Sequence, residues 1–314
     1  MEEELEFAKG CKIEPPDERD YPYSALASAG TVIPERFSVD IPFWWNQKKI
    51  DSCVGQGVGT AKSVQEKKEL SPRFLWALAK AAEEYIGWGT SFQGLFKQLK
   101  NVGVVKFGSV DENCEVTRDE YMRITLTPEL KAEAEQYKAL SYWRPRGWEM
   151  VKQALVEQKI PLVTFCDWLP EFNYPKDGFI TRTVSRTGPG HLFVLRGFDK
   201  TPEGEEYAIF RNSWGKNWGV DGDFYVKVKD LSYVGIDVFF VLVDVPQASI
   251  VGKYDGKLIK NKDPNKPEVY FVKNGKIAWI QNEAVFIFGR NAKFWGDWKD
   301  IIEIDQEIKP DLTF

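Results

Sequence analysis

An α+β fold is predicted for this chain of 314 residues: a helical part first, an antiparallel sheet second, and a small β-rich unit at the end. Three observations carry the prediction. Helical periodicities dominate residues 53–158, short runs rich in β-branched and aromatic residues begin after Lys159, and a strong Asn-Gly hairpin signal stands apart near the C-terminus. Helices followed by strands, without strict alternation, indicate packed layers in place of βαβ units.

Residues 1–35 are rich in Pro, Asp and Glu and keep no sustained period of 3.6 or 2, so they read as an extended arm. From Cys53 to Leu70 the positions Val54, Val58, Ala61 and Val64 recur at three- and four-residue steps, which predicts a helix with one buried stripe. Gly55, Gly57 and Gly59 each cost such a helix about 1 kcal/mol relative to Ala; close packing of a buried helix is the purpose that fits them. Ser71-Pro72 opens a second helix, with Ser as N-cap and Pro at the first helical position. Ser91 to Lys100 is a third, ending near Gly103. Leu130 to Tyr137 and Trp148 to Gln158 are further helical segments.

Leu162–Phe165, Leu192–Leu195, Tyr207–Phe210, Phe224–Val228 and Phe239–Val243 read as strands, and Thr201-Pro202-Glu203-Gly204 as a hairpin turn. Gln247 to Gly252 marks a boundary, dividing a body over residues 36–248 from a unit over 253–314. Within that unit, Tyr270–Lys273 and Lys276–Ile280 flank Asn274-Gly275, the pair that supplies the positive-φ positions of a type I′ turn. Asn282-Glu283 caps a short helix that runs to Phe288 and stops at Gly289.

Composition excludes several function classes. The net charge is −5, with 42 Lys and Arg interspersed among 47 acids, so the basic surface that phosphate neutralisation needs is missing and no nucleic-acid partner is expected. The four cysteines (Cys11, Cys53, Cys114, Cys166) have no close C-x-x-C spacing and there is one histidine, so neither a metal nor any other cofactor is called for. The N-terminus is acidic, without an apolar h-region, and no run approaches 18 apolar residues. No signal peptide or membrane span is therefore expected, and cytoplasmic localisation is the default.

The chemistry-bearing residues are few enough to assign. Cys53 stands at the predicted start of a helix, where the dipole favours a thiolate. His191, the single histidine, begins or just precedes a β-run, and an imidazolium beside the thiol would lower its pKa further. Asn212, in Asn212-Ser213-Trp214-Gly215, can accept from the second ring nitrogen and hold the imidazole in place. Gln47 can point its amide N–H alongside the Cys53 backbone N–H to bind an oxyanion. Thiol, imidazole and two amides are the parts of a cysteine hydrolase.

These segments resemble the papain-like cysteine peptidases, in particular bacterial or phage-type members. The likeness rests on Asn46-Gln47 six residues before Cys53, on His191 leading an apolar strand to Gly197-Phe198-Asp199, and on Asn212 through Trp218, Gly219, Gly222, Asp223 and Phe224. Cys53 and His191 lie 138 positions apart, inside the family's spacing of about 130–150. Ser71–Trp76 and Gly89–Gly103 look like further landmarks, so the resemblance spans residues 12–245. It implies a papain-like fold with a helical and a barrel-like antiparallel subdomain, and an endopeptidase working through an acyl-thioester on a peptide or protein substrate. It also implies backbone pairing of substrate at Gly89-Thr90, a specificity pocket lined by Phe165 and Leu192, Trp218 flanking the leaving-group side, and Trp214 shielding the His191–Asn212 bond.

Departures accompany the likeness. Val54 stands where the family has Trp, and Ile50-Asp51-Ser52-Cys53 lacks the usual disulfide cysteine. Asp51, near the thiol, would either raise its pKa or face solvent, and the second is the expectation. Leu192 replaces a small residue and implies a narrower pocket. The upstream region is short for an inhibitory prosegment and only the arm at 1–35 could serve as a vestigial one, so constitutive activity is expected. Transpeptidation or amide ligation at the same site, and a silent site with function in the C-terminal module, are the competing readings. That module resembles short units of bacterial surface proteins; cell-envelope material, the catalytic body and a second copy are its candidate ligands.

Overall fold

In the computed structural model, residues 10–13, 20, 22–28, 30–83, 87, 89–167, 172, 175, 177–181, 190–243, 256–261, 268–273, 276–280, 283, 286–287, 290, 297–304 and 312–313 are described. After β1 (Phe37–Ser38) come α1 (Cys53–Glu66), α2 (Pro72–Ala82), α3 (Phe92–Asn101), α4 (Arg118–Met122) and α5 (Pro128–Ala134). Next are β2 (Ser141–Trp143), α6 (Trp148–Gln158), β3 (Leu162–Cys166), β4 (His191–Lys200), β5 (Glu206–Arg211), β6 (Asp223–Lys227), α7 (Leu231–Val234) and β7 (Phe239–Val243).

Local chemistry starts α2 and α3 where the sequence places them. The Ser71 hydroxyl accepts from the Phe74 N–H at 2.9 Å at the head of α2, and Ser91 accepts from Gly94 at 3.0 Å at the head of α3. These satisfy amide donors that have no partner within the helix. The glycines of α1 serve close approach: a Cβ at Gly55 would lie 2.6 Å from the Pro72 carbonyl oxygen, and one at Gly57 2.2 Å from Leu192 Cδ2. The helix that begins with Cys53 is thereby wedged between α2 and β4.

The sheet runs β2-β7-β3-β4-β5-β6, with β1 beside β4, and every pairing is antiparallel. The β4–β5 turn closes through Gly204 N–H to Thr201 O at 2.9 Å, with Gly204 at φ +86°. The strand pattern reads as nearly continuous apolar residues because β3 and β7 are buried throughout. Phe92 of α3 stacks on Phe240 of β7 with centroids 4.3 Å apart, joining helical layer to sheet.

Short elements escaped periodicity. The α4 helix has a complete capping box between Thr117 and Glu120, yet its five residues are too few to show a period. Its Tyr121 is fully buried with Ile50 and Trp76. Nearby, Glu112 accepts from the Arg73 amide at 3.4 Å. Burial outweighs the bonds from Ser71 and Arg73 and pushes its carboxyl up to about 7 from an ordinary 4.5. The folded chain thus keeps a proton that the unfolded chain releases. That stabilising contribution is complete below about 4.5 and is lost as pH rises through about 7. The thermal midpoint of the wild type should therefore fall across this interval more steeply than that of Glu112→Gln; parallel curves would refute the assignment.

Two compact units are present, one of Met1–Asp20 with Gly30–Val243, the other of Tyr21–Ala29 with Asp244–Phe314. The arm expected over residues 1–35 is thus shared between them. Its Tyr23 is fully buried and opens a 3-10 turn over Tyr23–Ala25, where composition alone reads as extended. The second unit holds a sheet in the order β11-β8-β9-β10-β12, made of β8 (Leu258–Asn261), β9 (Val269–Lys273), β10 (Lys276–Ile280), β11 (Ile302–Ile304) and β12 (Leu312–Thr313). Leu258, Phe271, Ile280 and Phe286 form its core. Lys273 pairs with Lys276, as a two-residue hairpin connection requires. The Asn274-Gly275 turn itself, the Asn282 cap, the Gly289 stop, the Gln247–Gly252 boundary and Gly188-Pro189 lie outside the described residues.

Candidate active site

Cys53 is the first residue of α1 and is fully buried; His191 is the first of β4 and also fully buried. Asn212 follows β5 directly. Its side-chain oxygen lies 2.8 Å from His191 Nε2 and accepts the Ser213 backbone N–H, also at 2.8 Å. The second bond fixes which end of the carboxamide faces the ring. An oxygen that already accepts there can only accept from Nε2, so Nε2 carries hydrogen and Nδ1 is the basic nitrogen. Trp214 stacks on the imidazole at 4.7 Å and 22°, and Trp218, perpendicular to Trp214 at 5.0 Å, donates its Nε1–H to the Phe172 carbonyl at 2.9 Å. The His191–Asn212 bond therefore lies in an aromatic enclosure that excludes competing water.

Gln47 is brought to the same loop by main-chain bonds, its N–H donating to Ser213 O at 2.9 Å while Gly215 N–H donates to Trp45 O at 2.9 Å. Its side chain is gripped at both ends: Oε1 accepts from the Ser213 hydroxyl at 2.6 Å, and Nε2 donates to Ile50 O at 2.9 Å. Ser213 thus orients both Asn212 and Gln47. Nothing in the sequence marks it for this beyond its place between Asn212 and Trp214.

The arm crosses this site. Cys11 N–H donates to Gly190 O, Lys12 N–H to Thr90 O and Thr90 N–H to Gly10 O, each at 2.9 Å. Cys11 bridges parallel to Thr90 and antiparallel to Gly190. The Gly10 backbone also hydrogen-bonds to the Cys53 thiol, as do those of Leu192 and Val54. Gly10 is demanded by this closeness, since a Cβ there would stand 2.1 Å from the Asp51 carbonyl oxygen. The arm, expected to serve at most as a vestigial prosegment, therefore lies over the site. Only a glycine in a Pro- and acid-rich segment hints at it in the sequence.

Burial is the largest influence on Cys53 and pushes its thiol up to about 12, against the smaller downward pull of the three backbone bonds. A lowered pKa was expected from the helix N-terminus; with the arm in place, desolvation wins. Asp51 also raises it. Contrary to the expectation that Asp51 faces solvent, its side chain is 8% exposed and pairs with Arg118 at 2.6 Å, while its carbonyl accepts Trp76 Nε1–H at 2.9 Å. Phe165 and Leu192, opposite each other across β3 and β4, are both buried, Leu192 being the residue packed toward Gly57. Gly89 adjoins the arm, a Cβ there meeting Gly10 O at 2.2 Å. Among the described residues, no three His, Cys, Asp or Glu side chains are placed to share a metal ion, and no helix is long and apolar enough to cross a membrane.

Residues 88–241 match the model of the papain family cysteine protease. That span contains His191 and Asn212, whereas Cys53 and Gln47 precede it. Cathepsin B-like CP3 of Giardia intestinalis is 35% identical over 66 residues, 21% of this chain and 22% of the relative. Human cathepsin O is 41% identical over 68 residues, 22% of this chain and 21% of the relative. The chain thus spans about a fifth of the curated relatives it matches. Among solved structures, xylellain, a cysteine protease from Xylella fastidiosa, aligns with 78% of this chain and 99% of its own at 19% identity and a TM-score of 0.65. At that identity the likeness establishes the papain-like α+β fold. Residues 88–241 of this chain are thus similar to the papain family cysteine protease, on a papain-like α+β fold.

Proposed function

We propose that the chain is a cysteine endopeptidase held latent by its own arm, with Cys53 as nucleophile, His191 as base and acid, Asn212 as the group that orients His191, and Gln47 as oxyanion donor. The observation that carries this reading is the 2.8 Å contact of His191 Nε2 with an Asn212 oxygen already fixed by Ser213. It leaves Nδ1 as the basic nitrogen, the role a nucleophilic thiol needs filled. Once the arm leaves, an extended peptide takes the Thr90 backbone bonds and Cys53 attacks its carbonyl. The oxyanion is met by the Cys53 N–H and the Gln47 amide. His191 gives its proton to the departing amine, and water, deprotonated by His191, then cleaves the thioester.

Phe165 and Leu192 beside the cleft are assigned to the specificity pocket, Trp218 to the leaving-group side and Trp214 to protection of the His191–Asn212 bond. A thiol-alkylating epoxide tests the reading on the chain opened by Gly10→Ala. One adduct, mapped by mass spectrometry to Cys53, is expected. It should vanish in Cys53→Ala and form about 10²–10⁴ times more slowly in His191→Ala, the usual range for loss of a general base. Equal labelling of all three chains would refute the site.

A further inference from the structure

The charge next to the nucleophile has its own partner. Asp51 lies two residues before Cys53, is buried, and is paired through Oδ2 with Arg118 Nη2 at 2.6 Å. Arg118 is the first residue of α4, a helix capped by Thr117 and anchored by the buried Tyr121, whose ring lies 5.5 Å from that of Trp76. Trp76 in turn holds the Asp51 carbonyl. The α4 segment therefore grips the loop 50–52 at three points: Ile50 by packing, the Asp51 carbonyl through Trp76, and the Asp51 carboxylate through Arg118.

The other ionisable groups of this corner are accounted for. Lys48 pairs with Glu115 at 3.2 Å. The Arg73 guanidinium donates to the carbonyls of Asp111, Glu120 and Tyr121 and faces the Asp111 carboxylate at 3.5 Å. Glu112, Cys114 and Tyr121 are each pushed up by burial, toward their neutral forms.

We infer that Arg118 is a positioning residue for the reaction: by neutralising Asp51 it keeps a carboxylate charge from opposing formation of the Cys53 thiolate. The inference rests on Cys53 being the nucleophile. A negative charge near a thiol disfavours its ionisation, and an unscreened buried carboxylate does so more than a paired one. Asp51 is among the groups that raise the Cys53 pKa even with Arg118 present. Removal of the guanidinium should uncover the rest of that effect.

The test is the pH dependence of Cys53 alkylation by iodoacetamide, followed by mass spectrometry on the full chain carrying Gly10→Ala. Arg118→Ala should displace the profile alkaline by on the order of one unit, lowering the rate about tenfold at pH 6. Arg118→Lys should keep the parent profile, and Asp51→Asn added to Arg118→Ala should bring it back. Asp51→Asn alone, which leaves the cation unopposed, should displace the profile toward acid. That variant decides the matter if Arg118→Ala does not fold. Unchanged profiles in Arg118→Ala or in Asp51→Asn, with Cys53 still reacting, overturn the inference, as does a profile that stays alkaline in the double variant. A purely structural role would lower the thermal midpoint and leave the profile in place. Failure of Cys53 to react in the parent would overturn the nucleophile assignment itself, and the inference with it.

Discussion

Gly10→Ala is expected to raise the reactivity of Cys53 at pH 7.5 by up to about 10³-fold. In the closed site the thiol is pushed up to about 12. Fewer than about one molecule in 10⁴ then holds a thiolate at this pH, whereas an ordinary cysteine near 8.5 is about one-tenth ionised. Arm removal costs the thiol one favourable backbone bond, from Gly10, but restores solvent, and burial is the larger influence. The net direction is therefore downward in pKa and upward in rate. The added methyl would meet backbone, the Asp51 carbonyl oxygen at 2.1 Å, so no rotamer change relieves it. Overpacking of this kind costs about 1–3 kcal/mol. The bonds it competes with, those among Gly10, Cys11, Lys12, Thr90 and Gly190, contribute about 0.5–1.5 kcal/mol each. One methyl is thus comparable with the whole latch. Iodoacetamide rates and turnover of a fluorogenic peptide measure the effect, and both should rise together. Equal rates in parent and variant would mean that the arm already leaves the cleft faster than the chemistry proceeds.

The latch also explains where the sequence was legible. Helices α1, α2, α3 and α6 and strands β3 to β7 follow from periodicity, caps and β-rich runs because each is long enough to show its period or carries a Ser or Gly stop. His191 and Asn212 are brought together as their motifs imply, since both leave adjacent strands, β4 and β5, at the same end of the sheet. What escaped is short or non-local. The strands β1, β2 and β12 have two or three residues, and α4 has five. The Cys11 bridges to Thr90 and Gly190 join segments 79 and 179 positions away, for which no local pattern exists. Asp51 was assigned to solvent because its partner, Arg118, is 67 positions downstream and no rule of spacing pairs them. The upward push on the thiol is likewise non-local, because burial by the assembled fold is not written in the residues around Cys53.

Gln47→Ala should lower peptide turnover by about 10²–10³ while leaving alkylation of Cys53 by iodoacetamide within a few-fold of the parent, both measured in the Gly10→Ala background. The contrast follows from what each reaction demands. Attack on a carbonyl builds an oxyanion, and loss of one donor to it costs about that factor; displacement of iodide from iodoacetamide builds none. The geometry makes Gln47 fit for this, since an amide held by Ser213 at one end and Ile50 at the other needs no reorganisation when charge develops. Those bonds also complicate Gln47→Ala, which strands the Ser213 hydroxyl at about 1–3 kcal/mol and leaves the Ile50 carbonyl to the Ser52 N–H alone. A Ser213→Ala variant separates the two effects. It frees Gln47 Oε1 but keeps the amide N–H, so turnover should fall by about tenfold, through looser aim. If Gln47→Ala slows alkylation as much as it slows turnover, Gln47 holds the loop before Cys53 and nothing more, and the oxyanion would then depend on the backbone N–H of Cys53 alone.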